Sequence, residues 1–292
     1  MIHGILPPLT TPFINGEIAF NKFQENIQKL SSTGLSGFVV LGSNGETAYL
    51  TRDEKLALIR AAREVVPRDK SLVAGTGVDS IKETIFLTNE AAKIGADAGL
   101  IITPSFFKGA MNHDALCNYY QTVADAVDIS VFIYNVPKFT GVDIEPETVA
   151  ALAQHPNIIG LKNSSENMAR LAEMVYLTPD DFTVLAGTAS VLYPGLCLGA
   201  AGGVLALANI APSKCVEIQT SFENGDLEKA LSLQQRMIAV NKAVTAKYGV
   251  RGLKAAMDML GYFGGNPRAP LSPLNPEGVS DLKSILKKAK LL

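Results

Sequence analysis

Two side chains in this sequence stand where chemistry would need them. Lys162 closes the apolar run Ile158–Leu161, and small polar residues follow it in NIIGLKNSS. Tyr134 closes a second run, Ser130–Tyr134, just before NVPKFTG. Apolar runs of this length bounded by turn residues read as buried strands, and lysine is among the residues least often fully buried. A lysine at the end of a core strand has two readings. In one, the stem packs and the ammonium snorkels to water. In the other, the amine is desolvated enough to lose its proton near neutral pH and attack a ketone. That addition expels water and leaves a protonated imine, which draws electrons from the neighbouring C–C bond so that the bond breaks or forms at modest cost. A tyrosine hydroxyl, with an ordinary pKa of about 10, shuttles protons for such a reaction if its environment lowers that value. Its plainer reading is a half-buried strand aromatic with a satisfied hydroxyl.

The elements that must position these two residues follow a regular order. Apolar runs at 4–6, 37–41, 71–74, 98–102, 130–134, 158–162, 183–186 and 203–207 alternate with helix-like segments. The amphipathic stretch 21–32 places Phe23, Ile27 and Leu30 on one side, and 51–66 opens on a capping box, Thr51-x-x-Glu54. Further helices are expected through Lys93 and at 112–126, 146–154, 168–177 and 191–198. Strands and helices in alternation mean parallel strands joined by crossover helices. Eight such units that close on themselves form an α/β fold, the (β/α)8 TIM barrel, of about 250 residues. The barrel is expected over 1–225. A C-terminal helical region, 226–292, is expected to pack on it, with helices near 227–244, 252–260 and 280–291 around the turn-rich GYFGGNPRAPLSP.

Composition excludes several functions. A net charge of −2 and no basic stripe argue against a nucleic-acid partner. No run of about 18 apolar residues occurs, so no membrane span is expected. The start, MIHGILPPLTTPF, lacks the charged and apolar regions of a secretory signal. Three cysteines, Cys117, Cys197 and Cys215, without CxxC spacing suit structural thiols in a reducing cytoplasm. His3, His113 and His155 lie far apart, so neither a metal nor any other cofactor is expected.

Active sites of these barrels lie at the C-terminal ends of the strands. Those positions hold Thr10–Thr11, then Ser43-Asn44-Gly45-Glu46, Gly75-Thr76-Gly77, Pro104-Ser105-Phe106-Phe107, Tyr134, Lys162, Gly187-Thr188 and Val204-Leu205-Ala206. They include no carboxylate pair and no histidine, and one Lys and one Tyr lie on adjacent strands. GSNGE sits where a strand turns into a helix. Its N–H groups and the Ser43 hydroxyl can hold a carboxylate, although an ordinary Gly-containing turn has the same composition. Glu46 lies past the bend and reads as a structural hydrogen-bonder rather than a base.

GSNGE, YNVPxxTG, GLKNSS and GG-V-x-A-x-AN, in this order, resemble the pyruvate-dependent class I aldolases, the family of dihydrodipicolinate synthase and N-acetylneuraminate lyase. The likeness runs from Met1 to about Pro270. Within it, GSNGE, ITPSFFKG, NKAVTAKYGVRGLKAAMD and GYFGGNPRAPL are most similar to the 4-hydroxy-2-oxoglutarate aldolases. The resemblance implies Lys162 as the Schiff-base lysine and Tyr134 as the proton shuttle. It implies Ser43 and Asn44 as holders of the pyruvyl carboxylate, Gly187 and Val204 as positions around the bound keto acid, and Ser164 near a distal carboxylate. It also implies a homotetramer or homodimer. Two positions depart from the dihydrodipicolinate synthases. Phe139 stands where they carry the arginine of YNVPxRTG, and Phe106 where they carry a tyrosine donated by a neighbouring subunit.

The function expected is cleavage of 4-hydroxy-2-oxoglutarate, or a similar 2-oxo-4-hydroxy acid, to pyruvate and an aldehyde such as glyoxylate. Alternatives are 4-hydroxy-tetrahydrodipicolinate synthase, which joins pyruvate to aspartate semialdehyde, a 2-keto-3-deoxy sugar acid aldolase, and a non-catalytic keto-acid sensor. The Lys–Tyr pair argues against the sensor, because binding alone needs no such amine.

Overall fold

The computed structural model describes residues 2–292. The chain opens with β1 (Gly4–Leu6), followed by a two-strand hairpin, β2 (Phe13–Ile14) and β3 (Glu17–Ile18). The hairpin turns on Asn15-Gly16, both at positive φ (53° and 84°), the Asn-Gly turn that suits the twist of paired strands. The barrel continues as α1 (Phe20–Ser31), β4 (Gly37–Val40), α2 (Arg52–Val65), β5 (Ser71–Gly75), α3 (Ile81–Ile94), β6 (Ala98–Ile102) and α4 (His113–Asp125). Next come β7 (Ser130–Asn135), the short α5 (Pro137–Thr140), α6 (Pro146–Leu152), β8 (Ile158–Asn163), α7 (Met168–Leu177), β9 (Thr183–Ala186), α8 (Leu192–Cys197), β10 (Gly202–Val204) and α9 (Pro212–Glu223). Three helices follow: α10 (Leu227–Lys242), α11 (Gly249–Met259) and α12 (Pro276–Lys288).

Eight strands form one parallel sheet in the order β1-β10-β9-β8-β7-β6-β5-β4. The two ends meet through a Pro8–Val39 bridge, where Leu9 donates to the Val39 carbonyl at 2.8 Å and Val39 to that of Pro7 at 3.0 Å. This is the expected TIM barrel with C-terminal helices. Leu6, Val39, Val73, Leu100, Phe132, Leu185 and Val204 fill its interior. The layer between sheet and helices continues into the C-terminal region without a break, so Leu233, Met237, Val240, Leu253, Met257, Leu282 and Leu286 share a cluster with Phe38, Ile59 and Leu72. Gly225 lies between α9 and α10. The capping box opens α2 as expected, with Thr51 accepting from the Glu54 N–H and Glu54 from that of Thr51.

Besides the β2–β3 hairpin, which was not among the expected elements, the structure differs from them most in three places. The eighth strand stops at Val204, and Ala206–Asn209 form a 3-10 turn fastened by the Asn209 amide to the carbonyls of Pro8 and Ala206. An apolar composition serves a buried turn as well as a strand, so LALAN did not distinguish them. NVPKFTG contains α5, started by proline in its first turn. The last helix begins at Pro276, capped by the Asn275 side chain on the Gly278 N–H.

One irregularity matters for the site. Along β8, Ile158 and Leu161 pack outward against the helices, while Ile159 packs inward and Lys162 lines the barrel interior. Two residues thus separate successive outward side chains, and the pairing with β7 shifts register at Val131/Phe132. Ile159 is the extra residue, without a partner between the Val131–Ile158 and Phe132–Gly160 pairs, and Gly160 beside it leaves room for no side chain: a Cβ there would overlap the Phe132 ring and the Thr183 carbonyl. Such bulges re-aim side chains. Beyond it, Tyr134 pairs with Lys162 and Asn135 with Asn163.

Candidate active site

Lys162 is 3% exposed. The snorkelling reading therefore fails, because almost none of the side chain reaches solvent. Its Nζ lies 3.8 Å from the centre of the Tyr134 ring. The Tyr134 hydroxyl is 3.1 Å from Ser43 Oγ, within hydrogen-bond reach. Three residues from three separate strand ends are thereby linked: Ser43 after β4, Tyr134 on β7 and Lys162 on β8.

Ser43 and Asn44, both half-buried, belong to the 3-10 turn Ser43–Gly45. Non-glycine residues at positive φ bracket that turn, Leu41 at 61° and Glu46 at 56°. Such residues are uncommon and mark local constraint. Thr11 donates to the Gly45 carbonyl at 2.7 Å, tying the loop after β1 to the turn.

Gly187, at the end of β9, donates its N–H to the Asn163 carbonyl at 2.7 Å. A Cβ there would overlap Ser164 Oγ and sit 2.8 Å from the Asn163 carbonyl oxygen, so only glycine lets the two strand ends approach. The Ser164 hydroxyl, partly buried, lies 3.4 Å from the Gly187 carbonyl, a long hydrogen bond. Val204 is buried and, with Leu6, Val39, Val73, Leu100, Leu185 and others, lines a void of about 10 Å³ beside Lys162. That void holds at most one water, so a keto acid must reach the amine from the mouth of the barrel. All seven expected site residues fall at the same end of the barrel.

Asn135 and Asn163 point away from the mouth, into a polar cluster between strands and helices. The Asn135 amide donates to Asp143 at 2.7 Å and to Asn163 at 2.9 Å, and Arg170 faces Asp143 and Glu145. Glu46 is structural, as expected from its place past the bend. Its carboxylate, 1% exposed, meets Lys254 Nζ at 2.5 Å and accepts the Arg268 N–H at 2.8 Å. Burial pushes the Lys254 pKa down, opposed by the Glu46 charge. The Arg268 guanidinium grips Glu54 through both carboxylate oxygens, and that bond holds the Glu54 carboxyl down at about 2. Thr11 was noted in the sequence only as a strand-end residue. Lys254 and Arg268 were missed, and an acid and a base on opposite ends of the chain carry no local signal of their pairing. Phe106 and Phe107 are 80% and 73% exposed, and Phe139 is 63% exposed. Lys138 donates to the Thr245 carbonyl at 3.1 Å. Among the described residues no cluster of three His, Cys, Asp or Glu could hold a metal, and no helix is long and apolar enough to cross a membrane.

The dihydrodipicolinate synthetase family matches residues 1–289. The chain belongs to that family. It is similar to 4-hydroxy-tetrahydrodipicolinate synthase of Methanothrix thermoacetophila, 36% identical over 290 residues that cover 99% of this chain and 97% of the relative. The synthase of Geobacter metallireducens is 33% identical over the whole of both chains. Among solved structures, dihydrodipicolinate synthase of Thermotoga maritima superposes with a TM-score of 0.96 at 29% identity, covering all of both chains. A prophage protein of the same family from E. coli K12, solved in complex with pyruvate, gives a TM-score of 0.95 at 31% identity over all of both chains. As a family member the chain is a carbon–carbon lyase of the class I type, which works through a Schiff-base lysine. These relatives support the synthase alternative better than the hydroxyoxoglutarate reading, which none of them bears out.

Proposed function

We propose that this enzyme carries pyruvate as an imine on Lys162 and joins it to, or releases it from, an aldehyde. The observation that carries this reading is the buried Lys162 amine against Tyr134, whose hydroxyl reaches Ser43. Ser43 and Asn44 hold the keto-acid carboxylate. The Lys162 amine adds to the ketone carbon, and water leaves. The imine loses a proton from the adjacent methyl to give an enamine, whose carbon attacks the aldehyde. Tyr134 gives the new alkoxide its proton, and water then returns to free the lysine. Run backwards, the same steps cleave a 2-oxo-4-hydroxy acid. Gly187, Val204 and Ser164 shape the space around the imine. The imine is itself the electron sink, so the scheme uses no metal or other cofactor, and a chelator should leave the rate unchanged.

The names of the relatives favour aspartate semialdehyde as the aldehyde, which makes the reaction that of 4-hydroxy-tetrahydrodipicolinate synthase. One observation favours the second reading, cleavage of 4-hydroxy-2-oxoglutarate to pyruvate and glyoxylate. Phe139 is the residue at the position where the resemblance would place a carboxylate-binding arginine, and the neighbouring Lys138 is already engaged with the Thr245 carbonyl. A homotetramer or homodimer in the cytoplasm is the proposed state. The exposed Phe106 and Phe107, packed edge to face at 5.0 Å, are apolar surface that such an assembly would cover.

Pyruvate with borohydride should reduce the imine and leave an irreversible mass increase on Lys162, and Lys162→Ala should remove both label and activity. A label on another residue of active enzyme would refute the scheme. Comparing kcat/KM for the semialdehyde condensation with that for 4-hydroxy-2-oxoglutarate cleavage, on one preparation, decides between the two aldehydes.

A further inference from the structure

An ion pair that the reaction scheme does not use lies buried under the turn that carries Ser43 and Asn44. Glu46 ends this turn. Its N–H donates to the Ser43 carbonyl at 3.2 Å, and its own carbonyl accepts from Tyr49 at 2.8 Å. To do both it adopts φ 56° and ψ 33°. An L-residue with a Cβ is disfavoured in that left-handed conformation, and it persists where the surroundings over-determine it. The contacts that over-determine Glu46 come from the far end of the chain. Lys254 on α11 reaches Oε1 at 2.5 Å, and the Arg268 N–H reaches Oε2 at 2.8 Å. Lys254 is fixed in turn by the Asn266 carbonyl at 3.0 Å and by the Phe13 ring, 4.5 Å from its Nζ to the centroid. Both side chains are 1% exposed.

A buried pair of this kind is weak evidence for stability, since an apolar pair of the same volume often serves as well. What the pair does here is hold a strained backbone in place. We propose that Glu46 and Lys254 are positioning residues for keto-acid binding: their ion pair locks the left-handed end of the turn and so sets Ser43 and Asn44 at the depth where a carboxylate meets them while the ketone meets Lys162. This rests on the reading of Ser43 and Asn44 given above. The C-terminal helices are then part of the binding site's support, although none of their side chains enters the scheme.

The test uses pyruvate and borohydride alone, so it is independent of the aldehyde. It measures the pyruvate concentration that half-saturates labelling of Lys162, and the labelling reached at saturation. Four proteins are compared with the wild type: Ser43→Ala, Glu46→Gln, Lys254→Met and the double variant E46Q/K254M. The double variant leaves no buried charge unpaired, so its thermal unfolding should stay close to wild type. We expect half-saturation to rise about tenfold or more in the double variant, with full labelling at saturation, the pattern of lost ground-state binding. Each single variant should show the same rise, with a lower melting temperature. A double variant that folds and half-saturates like wild type would overturn the proposal. So would one whose maximal labelling falls while half-saturation stays put. If Ser43→Ala raises half-saturation and the double variant does not, the pair alone is refuted. If Ser43→Ala leaves it unchanged, the carboxylate reading falls, and the proposal with it.

Discussion

Replacing Tyr134 by phenylalanine removes a single oxygen and leaves almost everything else. The ring is 5% exposed and packed in the barrel interior, and the substitution keeps its contact with Lys162. The hydroxyl has one hydrogen bond, to Ser43 at 3.1 Å. A net contribution of about 1 kcal/mol is typical for such a bond, which in a chain of this size moves Tm by no more than about 2–4 °C. Turnover should respond very differently. If this hydroxyl moves the proton to and from the developing alkoxide, its loss should cost roughly 10²–10⁴ in kcat. Imine formation with pyruvate should survive, because the Lys162 amine is untouched. The assay is kcat on whichever aldehyde the enzyme prefers, alongside borohydride labelling and a thermal melt. A fall of less than about tenfold in kcat with an intact melt would refute the proton-shuttle role, since general acid–base catalysis is worth more than that. A Ser43→Ala, Tyr134→Phe double cycle should show coupling, because the two side chains are in contact.

Gly187→Ala should destabilise by roughly 1–3 kcal/mol, because the added methyl meets the Ser164 backbone at 2.7 Å and the strand ends must part; an unchanged urea midpoint would contradict this. Glu54, held at about 2 by Arg268, is depressed relative to its unfolded value. Its contribution to stability is present above the ordinary carboxyl range near 4.5 and is lost as pH falls toward 2. Glu54→Gln should flatten that part of the acid limb in a pH series of melts, and an unaltered limb would count against the assignment. Phe106→Asp should shift the sedimenting species toward the 31.0 kDa monomer. A wild type that already sediments as a monomer would remove the assembly from the proposal.

The alternation of apolar runs was enough to place all eight barrel strands, because a strand buried on both faces is apolar throughout. Beyond the β2–β3 hairpin and α5, three things were not legible. The end of the eighth strand was obscured by LALAN, whose residues are buried in a turn as they would be in a strand. The pairing of Glu46 with Lys254 and of Glu54 with Arg268 depends on how the C-terminal helices return to the barrel, which no local pattern records. The direction of Lys162 was open as well. Strict alternation from the outward Ile158 would send position 162 outward, and only the extra residue at Ile159 turns it inward.

That extra residue separates two properties usually encoded together. A strand running Ile158–Asn163 in unbroken alternation would pair with its neighbours and fill the barrel wall equally well, with Leu161 in the lumen and the amine among the helices. It would fold and be silent. The break is a reading-frame shift written into the backbone, and the chemistry is read in the second frame. Anyone transplanting this lysine onto another barrel would have to carry the shift with it. Copying the residue to the end of a regular strand, at the same distance from the strand's first residue, delivers it to the wrong side of the wall.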